Sequence, residues 1–185
     1  MTLTRLSAPA SLPIVLADVK EFCRVEDTDN DTLLTAFMST AVEMAENETG
    51  QRFISQQWRL DLGGFDSEIV LPYPKFASVD SIQYYDTANA LQTLSSNYYD
   101  ADGVGAVGCI SLAYGYTYPS VYPRPDAVQI TFTCGDVIAN VPQSAKDAMH
   151  TICWFLFDGR GDQLDRPFLN FLLNPHNLRG FYKSQ

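Results

Sequence analysis

The chain has 185 residues and a mass of 20.6 kDa, enough for one domain of ordinary size. Apolar residues make up 46% and charged residues 18%, which excludes a disordered tail and leaves a globular protein that needs no disulfide or metal to hold its core. Twelve basic against 22 acidic residues give a net charge of −10, which excludes duplex-DNA binding by phosphate neutralisation, since that requires clustered Lys and Arg.

The longest apolar run, Ile152 to Phe157, is far short of the roughly 20 residues of a membrane span, so no membrane contact is expected. The stretch before Ala8-Pro9-Ala10 is too short and polar for a signal-peptide core, and cytosolic synthesis is the expectation. Cys23, Cys109, Cys134 and Cys153 are scattered without a CxxC, a pattern that favours free buried thiols over a disulfide framework. The acidity is uneven. Net charge is −6 over residues 1–50, with nine acids and three bases, and −5 over residues 51–140, with nine and four. Residues 141–185, with four acids and five bases, carry +1.

In chain order, the first segment reads as two helices. Leu16, Val19, Phe22 and Cys23 share a face at helical spacing. The polar run Glu26 to Asp31 interrupts it and offers Asp29 or Asn30 as the cap of a second helix. There Leu33, Leu34, Phe37, Met38, Ala41, Val42 and Ala45 form one apolar stripe, Glu43, Glu46 and Glu48 stay off it, and Gly50 supplies the stop. The middle reads as β: Trp58, Leu60 and Leu62 alternate with polar residues, and Ile69–Leu71, Val79–Tyr85, Ile110–Tyr114 and Val128–Phe132 are further strands. The end returns to helix after Pro142, with Ala145, Ala148, Met149, Ile152, Cys153, Leu156 and Phe157 as its stripe up to Gly159. Trp154 and Phe155 widen that stripe beyond what a one-sided helix needs. In the closing segment Phe168, Leu169, Phe171, Leu172, Leu173, Phe181 and Tyr182 would expose a sizeable apolar patch if it hung free.

These elements predict an α+β fold: a helical bundle of two N-terminal helices and a C-terminal helix, with an antiparallel β region inserted between the second helix and the last. The expected division is a single domain over 1–185, made of a helical part at 14–50, a β-rich insertion at 51–140, a helix at 141–160 and an apolar tail at 161–185.

Catalytic equipment is hard to find. Gly103, Gly105 and Gly108 spell GxGxxG, but the pattern lacks a preceding strand and a following helix, so a hairpin loop is favoured and no dinucleotide cofactor is expected. Asp27, Asp29 and Asp31 resemble the opening of a Ca²⁺ loop, yet Thr32 and Met38 stand where that loop needs Gly and Glu. No GxSxG occurs, and two isolated histidines with scattered cysteines give no zinc spacing. His150, one turn after Asp147, reads as a partly buried helix residue, with a small enzyme centred on it as the competing reading. Nor does His176 read as more than a turn residue. Tyr114, Tyr116, Tyr118 and Tyr122 alternate on an extended segment; sheet packing or a protein interface is favoured over a platform for sugars or bases.

The residues Leu16 to Phe53 resemble the N-terminal signature of the tailed-phage head–tail connector (head-completion adaptor) family. The shared order is a short helix ending in Arg24-Val25, the acidic loop Asp27–Asp31, and a long helix closing on Glu46-Asn47 with Thr49-Gly50. Leu71–Asp86 and Asp126–Asp162 are similar to later blocks of the same family, so the likeness spans roughly 14–162; as a minor departure, Gln51 stands between Gly50 and Arg52 where the family often has Gly-Arg. The resemblance implies a structural virion protein, not an enzyme, with no cofactor or metal. It further implies a ring of about twelve copies beneath the portal protein, joining the capsid to the tail or next neck protein at the virion neck. Rings of this kind use two different patches per subunit. The candidates for portal or neighbour contact are Trp154, Phe155, Phe168, Leu169, Phe171, Leu172, Leu173, Phe181 and Tyr182. Glu43, Glu46, Glu48, Asp27, Asp29 and Asp31 are the candidates to line a channel through which double-stranded DNA passes without sequence-specific binding. A solvated outer face is an equal reading of those acids. The alternative function is a carbohydrate- or protein-binding tail or baseplate module using the tyrosine-rich region.

Overall fold

The computed structural model describes residues 1–103 and 107–177. Its class is α+β, with four α-helices and two antiparallel sheets among the described residues. The chain divides into two compact units, one of Met1–Ala10 with Ser55–Asp136, the other of Ser11–Ile54 with the residues from Val137 onward.

The first unit is all β. Its five-stranded sheet has the order β1 (Thr2–Ser7), β2 (Gln56–Leu62), β8 (Val128–Cys134), β4 (Phe76–Tyr85), β5 (Leu91–Thr93). The three-stranded sheet has the order β3 (Glu68–Pro74), β7 (Val107–Leu112), β6 (Tyr99–Asp102). The central strand β8 alternates as its sequence predicts: Val128, Ile130, Phe132 and Cys134 are buried while Gln129, Thr131 and Thr133 are half-exposed. Its register pairs Ile130 with Leu60 on one side and Ile82 on the other, so apolar rows continue across three strands. Leu71, Ile69 and Ile110 of the smaller sheet complete the same core.

Three strands escape the sequence reading. The edge strands β1 and β5 and the polar β6 carry almost no buried side chains and are defined by backbone pairing alone. The predicted strand Ile110–Tyr114 begins earlier and ends at Leu112, because Ala113 opens a turn whose carbonyl accepts the Tyr116 N–H. Of the GxGxxG glycines, Gly105 lies outside the described residues, Gly103 directly follows β6, and Gly108 lies within β7, its antiparallel partner. Both seat the ring of Phe76. A methyl group on Gly103 would lie 1.9 Å from that ring, and one on Gly108 would lie 2.6 Å from it and 2.9 Å from Leu71.

The second unit is helical: α1 (Leu16–Cys23), α2 (Asp31–Thr49), α3 (Gln143–Phe157) and α4 (Arg166–Leu173). Its core joins Val19 of α1, Leu34, Met38, Ala41, Val42 and Ala45 of α2, and Ala145, Met149, Ile152 and Cys153 of α3. Leu33 departs from the predicted stripe at 46% exposure, since the packed face is narrower than the run of apolar residues. α1 ends on Arg24 in the left-handed conformation (φ 57°), where the Arg24 and Val25 N–H groups donate to Glu21 and Lys20 carbonyls. A 2.6 Å ion pair between Lys20 and Asp31 then fixes the start of α2 to α1.

α4 was not anticipated as a helix. Asp165 caps it by accepting the Phe168 N–H at 2.9 Å, Pro167 occupies its first turn, and Leu169 and Leu173 sink into the helical core. No helix among the described residues is long and apolar enough to cross a membrane.

Gly108→Ala should lower the stability of the β unit by about 1–3 kcal/mol through the overpacking against Phe76. Gly64→Ala, whose added methyl would meet nothing within 4 Å, should leave the denaturation midpoint in place. Chemical denaturation of the two variants side by side checks the pair.

Candidate interaction surfaces

The family-like stretch at the end of α2 builds a closed turn. Glu46, only 5% exposed, accepts the Phe53 N–H on Oε1 at 3.0 Å and faces the Arg52 guanidinium from Oε2 at 3.5 Å. The Thr49 hydroxyl donates to the Ala45 carbonyl at 2.7 Å, and Gly50 adopts φ 73° to end the helix, its N–H donating to the Glu46 carbonyl. Gln51, the departure from the family pattern, donates from Nε2 to the His176 carbonyl at 2.7 Å. The Ser144 hydroxyl is hydrogen-bonded to His176 Nε2 at 2.9 Å. These contacts pin the chain just past α4 to the ends of α2 and α3.

The acids predicted to line a channel therefore separate. Glu46 is a correction: it lies four residues from Val42 on the buried face and is consumed by Arg52 and the Phe53 amide, so it presents no charge to a surface. Glu48 is half-buried with Arg166 at 3.8 Å, and Asp31 is held by Lys20. Glu43, Asp27 and Asp29 are exposed, with Asp27 accepting the Asp29 N–H at 3.1 Å. Among the described residues no group of three or more His, Cys, Asp or Glu is placed to hold a metal.

The apolar candidates separate too. Trp154 and Phe155 of α3 are half-exposed and meet edge to face at 5.0 Å; Phe155 meets Phe168 of α4 at 5.1 Å. Arg160 sits 5.6 Å over the Trp154 ring. Phe171 is 78% exposed and Leu172 is half-buried, whereas Leu169 and Leu173 belong to the core and are withdrawn from any contact surface. Phe181 and Tyr182 lie outside the described residues. Beside Trp154 opens a groove of about 560 Å³ lined by Phe22, Cys23, Arg24, Thr151, Trp154 and Phe155. Sequence reading missed Phe22, Arg24 and Thr151 as parts of it, although Phe22 at 46% exposure was a visible excess on a short amphipathic helix.

The tyrosine series does not form one platform. Tyr118 stacks inward on Phe65 at 4.4 Å and 6°, Tyr116 leans on Tyr98 at 4.8 Å, and Tyr114 is fully exposed. Arg124 pairs with Asp126 at 2.6 Å and covers Tyr85 at 3.7 Å.

Titratable groups are set by burial. Burial first, then the neighbouring Cys23, pushes the Cys153 thiol up to about 12; burial and then Glu68, which accepts a hydrogen bond from its thiol, push Cys109 up to about 11. Both stay protonated and poorly nucleophilic at neutral pH. His150 is buried against Phe22, its ring 5.8 Å from that ring, and its Nε2 makes no hydrogen bond among the described residues. Burial lowers its pKa below the ordinary 6.5, outweighing Asp18 and Asp147, which favour the charged form.

Residues 13–101 match the family model described as Phage gp6-like head-tail connector protein. No curated protein sequence matches the chain. Three solved structures share its fold. A chain in the neck of an empty gene transfer agent (GTA) particle, computed with C6 symmetry, has a TM-score of 0.78 at 21% identity. A chain of the native GTA virion gives 0.76 at 19%, and one in the native GTA neck computed with C12 symmetry gives 0.72 at 23%. Each match covers 96% of this chain and 95% of the other.

Glu46→Ala should destabilise the helical unit by about 1–3 kcal/mol, because it leaves the buried Phe53 N–H without its acceptor, whereas Glu43→Ala should be close to neutral; urea denaturation reads both. The folded state holds His150 neutral while the unfolded chain binds the proton near pH 6.5, so stability is lost as pH falls through and below that value. His150→Gln should reduce the fall in melting temperature between pH 7 and 5, measured by differential scanning calorimetry.

Proposed function

We propose, from the match of residues 13–101 to the phage gp6-like head–tail connector model, that the chain is a structural component of a virion neck. In this reading about twelve copies close into a ring beneath a portal protein. The ring joins the capsid to the tail or the next neck protein and forms part of the DNA channel. The observation that carries it is the family match. Its support is the fold shared over 96% of the chain with proteins seen in GTA necks.

A closed ring needs two unlike patches on each subunit. Trp154, Phe155, Phe168 and Phe171 supply one, as half-exposed or exposed aromatics of the kind that dominate protein contacts. Phe181 and Tyr182 are the proposed reach toward the portal or a neighbour. Glu43, Asp27 and Asp29, with the ion-paired Glu48 and Asp31 as weaker contributors, are the proposed channel acids: like charge keeps phosphates from adhering as DNA slides past.

Native mass spectrometry in the presence of the portal should give an assembly containing about 247 kDa of this protein, twelve copies of 20.6 kDa. Trp154→Ala with Phe168→Ala should leave a folded monomer that no longer assembles. A wild-type chain that remains monomeric with the portal present, or that is missing from the neck of the particle, overturns the proposal. Replacing Glu43, Asp27 and Asp29 by lysine should slow DNA ejection without preventing ring closure; unchanged ejection counts against the channel role.

A further inference from the structure

α2 carries apolar side chains on two sides. Leu34, Met38, Ala41, Val42 and Ala45 enter the helical core together with α1 and α3. Leu33, Ala36, Phe37 and Thr40 follow i, i+3, i+4, i+7 spacing and form a ridge on the side turned away from that core. Leu33, Ala36 and Thr40 are exposed and Phe37 is half-exposed. The sequence pattern counts Leu33 and Phe37 with the packed stripe, yet the helical core takes in neither. An amphipathic helix that enters an apolar groove presents anchors at these same four positions.

The groove of Phe22, Cys23, Arg24, Thr151, Trp154 and Phe155 is the matching concavity. Its walls are braced before anything enters. Phe22 lies against His150 at 5.8 Å, Trp154 meets Phe155 edge to face at 5.0 Å, and Phe155 meets Phe168. Its volume of about 560 Å³ is within the range of preformed binding pockets. The groove lies between the end of α1 and the later turns of α3, helices that share the core with the buried side of α2. A subunit therefore cannot turn its own ridge into its own groove, whereas a second copy can.

Charge agrees with that pairing. Arg24, the one charged side chain of the lining, is exposed and makes no ion pair among the described residues. The ridge is bracketed by acids: Asp29 stands four residues before Leu33 and Glu43 three after Thr40, both exposed and outside the ion pairs of the described residues. Rim charges of this kind set the rate of encounter, while buried aromatics hold the contact. Lysine at Glu43 and Asp29 thus slows closure without preventing it.

We infer that the groove receives the α2 ridge of a second copy, Leu33 and Phe37 packing against Phe22, Trp154 and Phe155. The contact is heterologous: each copy has one ridge and one groove, so contacts run from copy to copy until they close. Resting on the neck reading, this supplies the second of the two patches that a ring requires.

The test uses two full-length chains. The donor carries Ala36→Cys with Cys23→Ser, so its ridge bears a thiol and its groove bears none; the acceptor is wild type and offers Cys23. A short bismaleimide added to the mixture should join the donor's introduced thiol to the acceptor's Cys23, read by peptide mass mapping, with Cys109 as the reference thiol that stays unlinked. Phe37→Glu in the donor, or Trp154→Ala in the acceptor, should lower the yield of that link about tenfold and leave the melting temperature in place. Equal yields in the parent pair and the substituted pairs overturn the inference. So does linkage between two donors, which marks a two-fold contact of α2 with α2. Absence of the link both in the free mixture and with the portal also overturns it; if a ring nonetheless forms on the portal, the neck reading stands. A link formed by chains that never assemble on the portal does the reverse, keeping the inference and sinking the neck reading.

Discussion

The carboxylate of Glu46 is the point on which the helical unit turns. Buried among apolar side chains, it is made tolerable by Arg52 and the Phe53 amide, which face it. That requirement explains the spacing around it: Thr49 satisfies the last turn of α2, Gly50 takes the left-handed conformation that reverses the chain, and Arg52 returns to the acid it must neutralise. Side-chain hydrogen bonds and charge, rather than apolar contact alone, thus decide where the longest helix stops and in which direction the chain leaves it. The same turn presents Gln51 to His176, so the place where the chain leaves α4 is set by the end of α2.

Satisfying the core in this way leaves aromatic surface unspent. α3 buries Met149, Ile152 and Cys153 toward α1 and α2 but carries Trp154 and Phe155 past the packed face, and α4 covers only part of them. The patch that remains holds three aromatic side chains around a groove, with Arg24 as the charged group in its lining. Such a surface is costly to leave in water, and the β unit has exposed aromatics of its own: Tyr118 stacks inward on Phe65, while Tyr114, Tyr116 and Tyr122 stay exposed.

Legibility followed a physical rule. The helix α2 and the strand β8 were evident because a side-chain period records a packed face, and both elements are packed along their length. Edge strands β1 and β5 left no such record, since their place comes from backbone bonds to distant strands that any residue can make. α4 was visible as apolar residues but not as a helix, because Phe168, Leu169, Phe171, Leu172 and Leu173 are broken by one polar residue alone and leave no polar face against which a period could show. Two glycines of the GxGxxG pattern, Gly103 and Gly108, read as loop residues in the sequence, yet what requires them there, the ring of Phe76, comes from a strand more than twenty residues away.

The sequence by itself determined the α+β class and the excess of aromatic residues at the C-terminal end, and it carried the likeness to a connector family, because composition, order and periodicity are properties of the chain alone. Tertiary structure decided which of those residues are free to act. It withdrew Glu46, Leu169 and Leu173 into the core, left Glu43 and Phe171 in solvent, and made a groove from Phe22 and Trp154, which are 132 positions apart in sequence. Burial is a relation between residues that meet only after folding, so no local pattern could have assigned it.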